Sequence, residues 1–81
     1  MLRMTIEEVL QIVYVARTQK EQPDFSGLDM RRSKLGEFVM IGADLNECDL
    51  RGSNLTKTIM TGANMTDANL TGTEGDPTRR V

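Results

Sequence analysis

The sequence predicts an all-β solenoid, closed at its N-terminal end by one amphipathic α-helix. Three observations predict it. Large apolar residues recur every five positions, a second column of mostly small residues runs two positions earlier, and one segment of helical period precedes both. At 81 residues the chain has room for one domain, near the lower limit for a self-supporting core. With two Phe, one Tyr and no Trp, an ordinary globular core would lack bulk. A narrow core of repeated Leu, Met and small side chains would not.

The first column is Phe25, Met30, Leu35, Met40, Leu45, Leu50, Leu55, Met60, Met65 and Leu70. Apolar residues are 38% of the chain, so ten such matches in a row have a chance probability of about 10⁻⁴. The second column is Leu28, Ser33, Phe38, Ala43, Cys48, Ser53, Thr58, Ala63 and Ala68. Between them stand Asp24, Asp29, Asp44, Asp49, Asn54, Asn64 and Asn69. A period of five suits neither a helix nor a plain strand. It requires about three extended residues and then a turn, with residues two apart facing inward and the one between facing out. Gly27, Gly42, Gly52, Gly62 and Gly72 fall where the turn needs a positive φ.

A helix is expected from Thr5 to about Lys20. Thr5-Ile6-Glu7-Glu8 has the form of a capping box, and Ile6, Val9, Leu10, Val13 and Ala16 fall at helical spacing. Arg17 and Lys20 suit the negative end of the dipole. Gln22-Pro23 ends the helix and forces an extended entry to the first pentad. A solenoid must cover its end coils, so the helix is expected over Phe25, Leu28 and Phe38. The organisation is therefore a helix and linker at 1–22, repeats at 23–72 and a polar, flexible tail at 73–81.

Pentads such as Ala43-Asp44-Leu45-Asn46-Glu47 and Ala68-Asn69-Leu70-Thr71-Gly72 resemble the pentapeptide-repeat family, whose signature is A-(D/N)-L-x-x. The resemblance spans 50 of 81 residues. It implies a right-handed quadrilateral parallel β-helix, with four pentads to each coil of about twenty residues. Ten pentads then make about 2.5 coils, a stack rising only about 12 Å. Leu28 and Phe38 are larger than the usual small residue, and Val39 and Ile59 replace Asp or Asn.

On that geometry Val39, Ile41 and Ile59 share one outward face, a candidate interaction patch, although scattered β-branched residues also suit strands without any partner. Candidate acidic columns are Asp29 and Asp49, with Arg31 and Arg51 beside them, and Asp24 and Asp44 leading to Glu47 and Asp67. The alternative for these acids is hydrogen bonding to turn backbone. Cys48 is expected buried and inert, and the repeat methionines are expected to fill core.

Net charge is −2 and no basic patch is evident, so direct nucleic-acid binding is not expected. No membrane span is present, and with a single Cys no internal disulfide can form. A cytoplasmic location is the expectation. The chain has no His, no metal-ligand spacing and no phosphate loop, which argues against an enzyme and against a cofactor. The expected role is a protein-interaction or structural module, self-associating as a homodimer through its uncapped C-terminal coil. The resemblance adds two alternatives: a DNA-mimic-like modulator of a type II topoisomerase (gyrase), or a bacterial effector.

Overall fold

The computed structural model describes residues 3–75; the expected tail beyond position 75 lies outside them. One helix, α1 (Ile6–Thr18), precedes a run of isolated parallel β-bridges. Every bridge joins residues twenty apart: Asp24 to Asp44 to Asn64, Asp29 to Asp49 to Asn69, Lys34 to Asn54 to Glu74, and Val39 to Ile59. We number these ladders one to four. The backbone therefore completes one coil every four pentads and stacks on itself. Pairing continues past Gly72, since Glu74 donates its N–H to the Ser53 carbonyl at 2.9 Å. No continuous strand forms among the described residues, because a turn interrupts the extended backbone after every third residue.

The turns explain the period. At nine of the ten corners the residue after the turn donates its N–H to the carbonyl three residues back, as Leu28 does to Phe25 and Cys48 to Leu45. The third residue of all ten turns has a positive φ, the requirement of a type II turn. Glycine occupies five of these positions, and Arg32, Glu37, Glu47, Lys57 and Asp67 occupy the others with φ of 57–66°. Each of those five costs on the order of 1 kcal/mol relative to glycine. Coil stacking holds them there, helped at Glu37, Glu47, Lys57 and Asp67 by the closing hydrogen bond.

The tenth corner is built differently. Its carbonyl, on Met30, accepts from the Ser33 and Ser53 hydroxyls at 2.8 and 2.7 Å, while the Ser33 N–H donates to Ser53 Oγ at 3.1 Å. Two serines stacked one coil apart thus replace the usual bond. The Thr58 hydroxyl similarly donates to the Leu35 carbonyl at 2.7 Å. No buried side-chain nitrogen or oxygen among the described residues lacks a partner, as a core containing hydroxyls requires.

Inside the coils, Phe25, Met30, Leu35, Met40, Leu45, Leu50, Leu55 and Met60 are fully buried, and Met65 and Leu70 are half-buried. Cys48 is buried as well, with Sγ 3.5 Å from the Leu28 carbonyl oxygen. Removal from water pushes its thiol up to about 12, helped by the Asp49 and Asp29 charges, so little nucleophilic thiolate exists at neutral pH.

Helix α1 starts at a complete capping box: Thr5 Oγ1 accepts the Glu8 N–H, and the Glu8 carboxylate accepts the Thr5 N–H at 2.9 Å. Val9 and Ala16 are buried, and Ile6, Ile12 and Val13 are partly so, with Val9 joining the core of the coils. Leu10 departs from the expected stripe, being 50% exposed while Ile12 packs. The Val9–Ala16 line sets the buried face. Leu10 is rotated about 100° from Val9, whereas Ile12, three residues on, is only about 60° away. The helix also satisfies the upper edge of the first coil. The Met4 N–H donates to the Asp29 carbonyl at 2.8 Å, and Arg17 Nη2 donates to the Val39 carbonyl at 2.9 Å. Leu28 and Phe38, the oversized members of the small column, pack against the core as partly buried residues beside Met4, Ile6, Ile12 and Val13.

Candidate interaction faces

With the coils stacked, every fourth pentad presents its outward residues on one face. The fourth ladder carries Val39, Ile41 and Ile59, which are 43%, 50% and 43% exposed. They are the apolar patch read from the sequence. Helix α1 adds exposed Leu10, Tyr14 and Val15, but on an element above the first coil.

The acidic columns are partnered rather than free. In each of the seven pentads with Asp or Asn before the large apolar residue, the side-chain oxygen accepts the backbone N–H two residues on. Asp24 takes it from Ser26, Asp44 from Asn46, Asn54 from Thr56, and so through Asn69. The short polar side chain thus pins the entry to each turn, which is why Asp and Asn recur there. Lys34, Val39 and Ile59 lack that acceptor.

On the second ladder Asp29 and Asp49 do more. Arg31 reaches back to Asp29 with Nε and Nη2 at 2.9 and 2.8 Å, and Arg51 to Asp49 at 2.9 and 2.7 Å. Arg31 Nε also lies 3.9 Å from Asp49, linking the two coils. These planar two-bonded pairs neutralise the column that was expected to be acidic. Glu47 and Asp67 are exposed at corners twenty residues apart.

The hydrogen bonds from Arg31 hold the Asp29 carboxyl at about 2, against an opposing effect of burial. Asp49 is lowered by the Arg51 side chain, and Asp24 by the Ser26 hydroxyl. Because the folded values lie below the unfolded ones, the stabilisation is present above the ordinary carboxylate value of about 3.9 and is lost as pH falls toward the folded values. Urea unfolding followed from pH 5 to pH 2 should show its midpoint falling below about pH 4. The double variant Asp29→Asn/Asp49→Asn should show a flatter profile. An unchanged profile would remove these two pairs as the source.

The structure also brings together four arginines that the sequence scatters. Arg3, Arg31, Arg32 and Arg51 converge with Gly52 on a groove of about 530 Å³. Arg31 and Arg51, twenty positions apart, were visible as neighbours once the coil length was known. Arg3 carries no such signal, since it arrives through the pairing of Met4 with Asp29. Among the described residues no three Cys, Asp or Glu side chains cluster to hold a metal, and no helix is long and apolar enough to cross a membrane.

Residues 39–72 match the family described as Pentapeptide repeats (8 copies). No curated protein matches the chain. Among solved structures, the chain is similar to the crystal structure of a pentapeptide repeat protein, Rfr23, from the cyanobacterium Cyanothece 51142. The two share 25% sequence identity at a TM-score of 0.42, over 69% of this chain and 52% of that one. The chain thus spans about half the length of that protein. The matched residues include five of the seven pentads whose outward Asp or Asn pins its turn, on coils that repeat every twenty residues. Residues 39–72 are thus a run of pentapeptide repeats, and such repeats imply a right-handed β-helix.

Proposed function

We propose that this protein is a small non-enzymatic protein-interaction module: a four-sided β-helix of about 2.5 coils, capped by α1, that pairs with a second copy through its last coil. The contrast between its two ends carries this reading. At the top, α1 and the segment before it cover Phe25 and Met30 and supply donors to the Asp29 and Val39 carbonyls. At the bottom, Met65 and Leu70 remain half-buried. The N–H groups of Met65, Asp67, Leu70 and Gly72 occupy the register that bonds downward in the coils above, and they donate to no carbonyl among the described residues. Half-exposed apolar core beside unpaired backbone donors is a template for another β edge. A second copy offers the same edge through a two-fold contact.

Sedimentation velocity across the micromolar range should show a dimer, and Leu70→Asp should return it to monomer without unfolding it. Val39→Asn/Ile59→Asn should leave folding and the dimer intact. The reverse pattern would move the contact to the fourth ladder, and a monomer at high micromolar concentration in the parent protein would overturn self-association. Two observations weigh against DNA mimicry: the stack rises only about 12 Å, and Asp29 and Asp49 are already neutralised by Arg31 and Arg51.

A further inference from the structure

The groove lined by Arg3, Arg31, Arg32, Arg51 and Gly52 belongs to neither the repeat's own architecture nor the proposed dimer contact. It sits at the corner between the second and third ladders, with its arginines contributed by three successive levels. Arg3 comes from the segment paired above Asp29, Arg31 and Arg32 from the first coil, and Arg51 from the second. Levels in such a stack are about 4.8 Å apart, so the four arginines line the groove from closely spaced successive levels.

Two features make this more than a chance surface cluster. The first is orientation. Arg31 and Arg51 are each held by two hydrogen bonds to Asp29 and Asp49, using Nε and Nη2. A guanidinium has five N–H donors, so each keeps donors free for a further acceptor while its plane is fixed. The second is an excess of charge. Four arginines face two carboxylates, and among the described residues Arg3 and Arg32 enter no ion pair. Arg32 is also placed with care: it occupies a turn position with φ 57°, and Gly52 lies beneath it in the next coil. The Arg32 stem lies over Gly52 at ordinary van der Waals distance, with Cγ 3.5 Å from where a Gly52 Cβ would stand.

We propose that this corner binds a compact, multiply charged oxyanion of the phosphate class. Its dimensions and surroundings favour a small anion over a long one. A groove of about 530 Å³ is in the usual range for a small-molecule site. The second ladder beside it carries Asp29 and Asp49, and the third carries Lys34, Asn54 and Glu74, a mixture with no continuous run of cations along which a nucleic-acid backbone could extend. Guanidinium forks match phosphate oxygens in pairs.

The test is a titration of the whole protein with pyrophosphate, followed by backbone amide NMR in low-salt buffer. Saturable shifts centred on Arg31, Arg32, Arg51 and Gly52 are expected. Affinity should fall at least tenfold in Arg3→Gln/Arg32→Gln, whose side chains hold no ion pair, and change less than twofold in Lys57→Gln, at another corner. Orthophosphate should bind the same residues more weakly, and duplex DNA at equal phosphate concentration should not compete. Absence of saturable shifts at this corner would overturn the proposal, as would equal weakening by Lys57→Gln or effective competition by duplex DNA.

Discussion

Replacing Leu50 with Ala should cost about 2–5 kcal/mol, enough to leave a large part of the population unfolded. Leu50 is fully buried on the second ladder, where Met30 stacks above it and Leu70 below. A cavity there has core on both sides and little freedom to collapse. Total stability of small domains is about 5–15 kcal/mol, and a chain this short belongs at the lower end. The contrast is Leu70→Ala, the same change one coil down, where the side chain is only half-buried. That loss should be about half as large or less, because the side chain gives up less transfer free energy and its site opens to solvent. Urea denaturation of the two variants measures the difference. Equal losses would mean that the last coil is covered as fully as the middle one.

The inward columns were legible because the repeat leaves little else for them to do. Ten large apolar residues at one spacing can share a side only if the backbone turns after every third residue. Five glycines in step marked where. The other five corners were not legible: Arg32, Glu37, Glu47, Lys57 and Asp67 do not announce a positive φ as glycine does, and the stacked coil imposes it, with the closing hydrogen bond at every one of them but Arg32. The helix was legible from its capping box and period, but its facing was not settled by spacing alone. Leu10 and Ile12 both lie within reach of the Val9–Ala16 line, and contact with the first coil selected Ile12. Val39, Ile41 and Ile59 could be placed on one face by counting in twenties. The arginine corner could not, because Arg3 lies outside the repeat and reaches it through a single backbone pairing. On the second ladder the neighbours were legible, Arg31 and Arg51 beside Asp29 and Asp49, but the two-bonded contacts between them were not, since those depend on how the side chains fold back along the coil.

Val9→Asp should have the other large effect, because it strikes the one side chain of α1 that is fully buried in the core of the coils. A carboxylate there would have to be desolvated without a partner. The alternative is for the helix to lift away, and that is the less costly outcome. Lifting uncovers Phe25 and Met30 and breaks the bonds from Met4 to Asp29 and from Arg17 to Val39. The upper coil would then be as open as the lower one. With the lower coil engaged in the proposed two-fold contact, a newly exposed upper edge can pair with further copies, so the expected result is concentration-dependent growth of species larger than a dimer in sedimentation, with loss of a cooperative unfolding transition. Leu10→Asp supplies the comparison, since Leu10 is half exposed on the same helix and its replacement should leave both size and stability nearly unchanged. If Val9→Asp behaves like Leu10→Asp, the helix does not close the coil. If both aggregate, the outer face of the helix is itself a contact surface, and the cap would have a second role beyond covering Phe25 and Met30.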